Sequence, residues 1–200
     1  AVAETAANLY QEAGGDPIDG VAVLDPYVIA ELMRYTGPIE VPDLDVTVAA
    51  DDVVDFLLVE QYVIGQEQET RVEALETLGR TAISRILETS LPSPVDLAER
   101  FGPLVEERRL VLWSRAQTEQ DFLDEIGLLG ALPALDPEDG GFAVTVTNAT
   151  GNKIDSFLTR DVDVSEQTLA DGKRQLVADV TLTNHAPTSG LPPYVIDNEL

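Results

Sequence analysis

Residues 51–88 read DDVVDFLLVEQYVIGQEQETRVEALETLGRTAISRILE, and this stretch decides the fold. It predicts two helices joined around Gly65. In the second, Val72, Leu75, Leu78, Ala82 and Ile86 recur at steps of three and four and predict one apolar stripe. Glu69, Glu73, Glu76, Arg80 and Ser84 lie mostly off it. The first helix opens on Asp51 and Asp52, whose charge suits the positive end of a helix. Its body, Val53, Val54, Phe56, Leu57, Leu58 and Val59, is apolar nearly all round and is expected deep in a core, against the stripe.

Upstream, Val2, Ala6, Leu9, Tyr10 and Ala13 mark a helix stopped by Gly14 and Gly15. Ile18 to Leu24 is a short apolar strand. Asp25 and Pro26 then start a helix, with Asp at the cap and Pro in the first turn. Val28, Ile29, Leu32 and Met33 form its inner face, and it ends near Thr36–Gly37. Ile39 to Val41 is a further strand. The order predicts a strand–helix–strand unit with a right-handed parallel crossover.

Downstream, Ser93-Pro94-Val95-Asp96 opens a helix with inner residues Leu97, Phe101, Leu104 and Val105. Leu110 to Trp113 predicts a strand, and Thr118 to Ile126 a short helix closed by Gly127. The loop GLLGALPALDPEDGG (127–141) is the sharpest boundary in the chain. Beyond it the period changes to two. Phe142, Val144 and Val146 alternate with Ala143, Thr145 and Thr147, which predicts a half-buried strand. Ile154 to Val164 and Arg174 to Asn184 predict two more, with Asp171-Gly172 as a hairpin turn between them. A last strand is expected at Tyr194 to Ile196.

Composition narrows the function classes. The 200 residues carry 37 acidic and 12 basic side chains, a net charge of −25. Such a surface repels phosphate backbones and anionic membranes, so nucleic acid is not an expected partner. A solubility role in an envelope protein or a salt-adapted organism explains the charge. There is no cysteine, which excludes disulfides, thiolate catalysis and Cys-based metal sites. No apolar run approaches the roughly 20 residues of a spanning helix. The chain opens inside a helical pattern without a basic leader, and is expected to be an excerpt of a longer polypeptide with its anchor elsewhere.

Few residues are arranged for chemistry. His185 is the single histidine, and no G-x-S-x-G elbow supplies a serine for a triad. There is no P-loop and no G-x-G-x-x-G. The acids Asp43/Asp45, Asp51/Asp52/Asp55 and Asp161/Asp163 match no calcium loop and read as helix starts and solvated strand faces. No catalytic residue, metal ligand or cofactor is therefore expected. Asn148-Ala149-Thr150 is a formal glycosylation sequon. Among the arginines, Arg71 is the candidate ligand-binding residue, because it lies at a helix start where free N–H groups favour anions. A surface ion pair with Glu67, one turn earlier, accounts for it equally well.

Three stretches carry a resemblance. IDGVAVLDPYVIAELMRYTGPIEVP (18–42), DDVVDFLLVEQY (51–62) with ETRVEALETLGRTAISRIL (69–87), and GNKIDSFLTRDV (151–162) with DGKRQLVADVTLTNHAPTSGLPPYV (171–195) resemble an uncharacterised family. That family comprises anchored envelope proteins of high-GC Gram-positive bacteria, often encoded near genes for extracellular polysaccharide. More distantly, the order of elements resembles the latter half of the LytR–CpsA–Psr glycopolymer transferases. Tyr35 to Val41 looks like the turn that ends a helix there, and SLPSPVDLAERF (90–101) like a Ser-Pro-led helix. Where that pattern places four arginines, this chain has Leu58, Glu60, Gln68 and Arg71. Three missing cations would remove most pyrophosphate clamping, so intact transfer chemistry is not expected.

The resulting expectation is an α/β domain over residues 1–135, an incomplete LytR–CpsA–Psr-like fold, and a β-rich, sandwich-like segment over 136–200. The resemblance implies an extracytoplasmic cell-envelope protein, membrane-anchored through a segment outside this chain, that binds a polyprenyl-linked glycan or a cell-wall polymer. The other class open to it is a structural or protein-interaction module of the envelope without a small-molecule site. A deep apolar tunnel beside the helix pair, with Arg71 at its mouth, would separate the two.

Overall fold

The computed structural model describes residues 2–65, 67–89, 92–130, 144–149 and 151–196. The chain divides into two compact units, Ala1–Ala131 and Leu132–Leu200. Residue 135, the expected boundary, lies outside the described residues. The protein is mixed α/β with small open sheets of two strands.

The first unit begins with α1 (Val2–Glu12) and β1 (Gly20–Leu24). Next comes α2 (Pro26–Thr36), which starts as its sequence requires. Asp25 Oδ1 accepts from the backbone N–H groups of Tyr27 and Val28 at 2.9 and 3.1 Å. Pro26 occupies the first turn, where a missing N–H costs nothing. The helix stops at Gly37, whose φ of 80° lies where a side chain would be strained. β2 (Ile39–Val41) returns through a 3₁₀ turn (Pro42–Leu44) as β3 (Val46–Val48). A helical stretch follows: α3 (Val53–Asp55), a π turn (Phe56–Glu60) and α4 (Gln61–Ile64). Then come α5 (Gln68–Glu88), α6 (Pro94–Glu106), β4 (Leu110–Ser114) and α7 (Gln117–Glu125).

The predicted parallel crossover does not form. β1 pairs antiparallel with β4, Gly20 opposite Ser114 and Leu24 opposite Leu110. β2 pairs antiparallel with β3, so the two strands flanking α2 lie in different sheets. The sequence does not show this because a tight turn from Pro42 to Asp45, with Asp45 in the left-handed region at φ 54°, folds β2 back before it can join β1.

The core lies where α2, the β2–β3 hairpin, the start of the 53–64 stretch and α5 meet. Met33, Ile39, Val41, Val53, Phe56, Ala74, Leu78 and Ala82 are among its buried residues. The apolar stripe of α5 needs correction. Ala74, Leu78 and Ala82 are buried, whereas Leu75 is 37% and Val72 55% exposed. α5 packs on α2, β2 and the 3₁₀ turn, and its alanines allow that close approach. Two apolar rows run along this helix, and only the packing partner decides which one turns inward. The 53–64 stretch also sits less deeply than expected. Val53 and Phe56 are buried, but Val54, Leu57, Leu58 and Val59 are only partly so.

The π turn has a local cause. The Gln61 N–H bonds Phe56 O, one residue further back than in an α-helix. The Gln61 side chain fills the gap, its Nε2 donating to Leu57 O at 2.5 Å. α6 shows a related accommodation. Pro103 sits inside it, and the residue before it is Gly102, which has no Cβ to clash with the proline ring.

In the second unit, residues 144–149 have no regular structure, so Val144 and Val146 lie in no strand. Phe142 and Ala143, the rest of that expectation, lie outside the described residues. A 3₁₀ turn (Ile154–Phe157) leads into β5 (Leu158–Thr168), four residues later than predicted. β5 pairs antiparallel with β6 (Arg174–Asn184) through a turn at Gly172, φ 82°. Among the described residues this ribbon is the unit's one sheet, and no sandwich is formed by them. The last predicted strand is instead a helical turn, α8 (Pro193–Ile196), because Pro193 has no N–H for a ladder and suits the first turn of a helix.

Candidate functional site

The first unit contains an apolar cavity of about 820 Å³. Four helices and one strand surround it. α2 contributes Leu32, Tyr35 and Thr36, and the end of α5 contributes Ile86 and Thr89. α6 lays Leu97, Ala98, Phe101, Gly102 and Val105 along it, with Leu110 at the start of β4. Phe122 of α7, then Ile126 and Leu128, close the far side. Each element is held there by local chemistry. Ser93 caps α6, its Oγ accepting from the Asp96 N–H at 3.2 Å. At the other end, Leu112 N–H bonds Leu128 O at 2.8 Å, fixing the segment after α7 against β4.

The lining is nearly all apolar, and among the described residues Glu106 is its single charged one. The Tyr35 hydroxyl is buried and has no hydrogen-bond partner. Arg100 stands 5.7 Å from the centre of the Tyr35 ring. Arg85 Nη1 donates to Thr36 O at 3.3 Å and to Pro38 O at 2.6 Å, closing the end of α2. A cavity of this size and character can shelter an apolar chain or ring. Among the described residues its lining holds no arrangement of nucleophile and base.

Arg71 is elsewhere. It lies fifteen residues before Ile86 on α5, about 22 Å along the helix at 1.5 Å per residue. Its Nη1 donates to Gly65 O at 2.7 Å, and its guanidinium lies 5.3 Å from the Tyr62 ring centre. Gly65 permits this, since a Cβ there would meet Arg71 Cγ at 2.9 Å. The cleft beside it, about 380 Å³, is bordered by Asp43, Asp45 and Glu67. Those acids work against an anion at that end of the helix. The structure therefore does not bring Arg71 to the apolar cavity.

The other candidates are quickly placed. His185 Nε2 is 3.1 Å from Thr159 Oγ1, and its backbone N–H bonds Phe157 O. Asn148 Nδ2 donates to Asn152 O and Oδ1 at 2.9 and 3.0 Å, while Thr150 of the sequon lies outside the described residues. Among the described residues no three His, Asp or Glu side chains converge as a metal site. Among them also, no helix is long and apolar enough to cross a membrane. The sequence did carry a signal for the cavity. Leu97, Phe101 and Val105 repeat every four residues on α6, but nothing in that row distinguishes a filled core from an open pocket.

Fold and site thus define a mixed α/β unit built around an apolar cavity, followed by a unit that carries an antiparallel ribbon. Residues 1–62, from α1 to α4, match the model of a family described as Protein of unknown function (DUF4012). No curated protein and no solved structure matches the chain.

Proposed function

We propose that this chain is part of an extracytoplasmic cell-envelope protein whose first unit binds the lipid portion of a lipid-linked glycan. The cavity between α2, α6 and α7 carries this reading, because it is large and apolar. The relation to the LytR–CpsA–Psr transferases belongs to the same proposal. It is supported by the order of elements, with α5 followed by the Ser-Pro-led α6. Transfer chemistry is no part of it. Arg71, as a ligand residue, would act at its own cleft and not in the cavity.

Calorimetric titration of a polyprenyl-phosphate analogue tests the reading. Binding is expected to the wild type and to be lost in Ala98→Phe, which puts a ring into the lining. Absence of binding to the wild type would overturn it.

A second reading, a protein-interaction module, is favoured by the β5–β6 ribbon. Val162, Val164, Val180 and Leu182 share one face of it and are 38–50% exposed. A pull-down that depends on Val162 and Val180, together with no lipid binding, would select this reading.

A further inference from the structure

Helix α5 has a second apolar face, turned away from the core. The buried row, Ala74, Leu78 and Ala82, packs on α2, β2 and the 3₁₀ turn. Round the helix from it lie Val72, Leu75, Gly79, Ile83 and Leu87, with Ile86 at the rim of the cavity. At 3.6 residues per turn these six fall within an arc of about 120°. Val72 and Ile83 are each 55% exposed, and Leu87 is 82% exposed. A contiguous apolar row of this kind on a charged surface marks an interaction site.

The row is symmetric about Gly79. Leu75 and Ile83 stand four residues before and after it, and Val72 and Ile86 seven. Those steps are about 6 and about 10 Å along the axis. Reversing the helix about Gly79 therefore lays apolar positions on apolar positions, as a two-fold axis requires of a surface that meets its own copy. Glycine in mid-helix costs stability relative to alanine. Among the described residues a Cβ added at Gly79 meets nothing within 4 Å, so the fold of one copy does not require glycine there. The close crossing of a second backbone does.

Charge selects the direction. Each chain carries −25, so two copies repel, and a contact between them needs a locally balanced surface. Glu76 and Arg80 flank the row on one side, 62% and 74% exposed, and pair at 2.5 Å. In an antiparallel crossing at Gly79, Arg80 of each copy falls beside its own Glu76 and beside Glu76 of the other copy, each within about one turn. Four charges of alternating sign then line the seam. A parallel crossing would set Arg80 against Arg80 and Glu76 against Glu76. Glu69 and Glu73 lie toward the N-terminal end of α5, away from the axis.

We propose that two copies of this chain associate through α5, antiparallel and crossing at Gly79. One helix pair is smaller than the standard interface of about 1,600 Å². The dimer is therefore weak and reversible, with a Kd in the micromolar range or above. It does not depend on the lipid reading, because Ile86 is the one cavity residue in the row.

Sedimentation equilibrium of the whole chain, at concentrations up to about 1 mM, tests this. The wild type should dimerise, and Gly79→Leu and Ile83→Glu should each raise Kd about tenfold or more. A side chain at position 79 meets no neighbour and Ile83 is exposed, so both variants should keep their helicity and their thermal midpoint at low concentration. Arg80→Glu should weaken the dimer, and Glu76→Arg added to it should restore it. A wild type that is monomeric throughout would overturn the proposal, as would a Kd unchanged in Gly79→Leu or in Ile83→Glu. A dimer kept in Ile83→Glu but lost in Val162→Glu would overturn it in favour of the ribbon. A double variant as weak as Arg80→Glu alone would overturn the antiparallel crossing.

Discussion

Asp25 and Arg109 are 84 residues apart in the chain, and their side chains meet at 2.6 Å. Asp25 Oδ1 caps α2 while Oδ2 takes the Arg109 Nη1. The same guanidinium lies 4.1 Å from the Tyr27 ring centre and bonds Glu107. Burial works against the Arg109 charge, but the bonds to Glu107 and Asp25 outweigh it and hold the pKa above the ordinary arginine value. One aspartate thereby starts a helix and ties it to the residue that precedes β4. Asp25→Ala should cost about 1–3 kcal/mol, combining a lost cap with a lost ion pair. Asp25→Asn keeps the cap and should cost less than about 1 kcal/mol. Urea unfolding of the two variants separates the contributions, and equal losses would show that the cap contributes nothing.

Tyr35→Phe should not destabilise the protein. The Tyr35 hydroxyl is buried without a partner, so it carries a desolvation cost and returns no bond. Its removal should raise stability by up to about 1 kcal/mol. A lower denaturant midpoint with an unchanged slope would reveal a bond that this geometry lacks.

The two leucines of α5 should behave differently. Leu78 is 3% exposed, and Leu78→Ala should cost about 2–5 kcal/mol. Leu75 is 37% exposed, and Leu75→Ala should stay within about 0.5 kcal/mol of wild type. Thermal unfolding of both variants checks the direction in which the helix faces.

Asp163 and Asp179 stand directly opposite each other on β5 and β6. Like charges at such positions weaken a sheet, so Asp179→Thr should stabilise the ribbon by about 0.2–1 kcal/mol. Slower amide exchange across β5 and β6 is the expected signature. Asp163→Thr added to it should gain little more, since the repulsion is already gone.

Glu166 and Arg174 form a bidentate pair across the same ribbon, at 2.5 and 2.9 Å. The hydrogen bond from Arg174 holds the Glu166 carboxyl below the ordinary glutamate value. Its contribution to the ribbon is therefore present above the ordinary glutamate range and is lost as pH falls through the lowered value. An NMR titration should place the Glu166 midpoint below that of an exposed glutamate, and Arg174→Gln should return it upward.

Local chemistry in the sequence settled much of this protein. Asp25-Pro26 and Ser93-Pro94 set two helix starts, Gly37 and Gly172 set a stop and a turn, and the alternation from Arg174 to Asn184 set a strand. These features depend on neighbours within a few residues, so they are written in order along the chain. Tertiary structure decided the rest. β1 found β4 about ninety residues later and not β2, and α5 turned Ala74, Leu78 and Ala82 inward in place of Leu75 and Val72. The cavity arises because the row Leu97–Phe101–Val105 faces α2 and α7 without filling the space between them. Spacing shows that a residue has an apolar neighbour on its own face. How far away the opposing face stands is fixed by long-range packing, and that distance separates a core from a binding site.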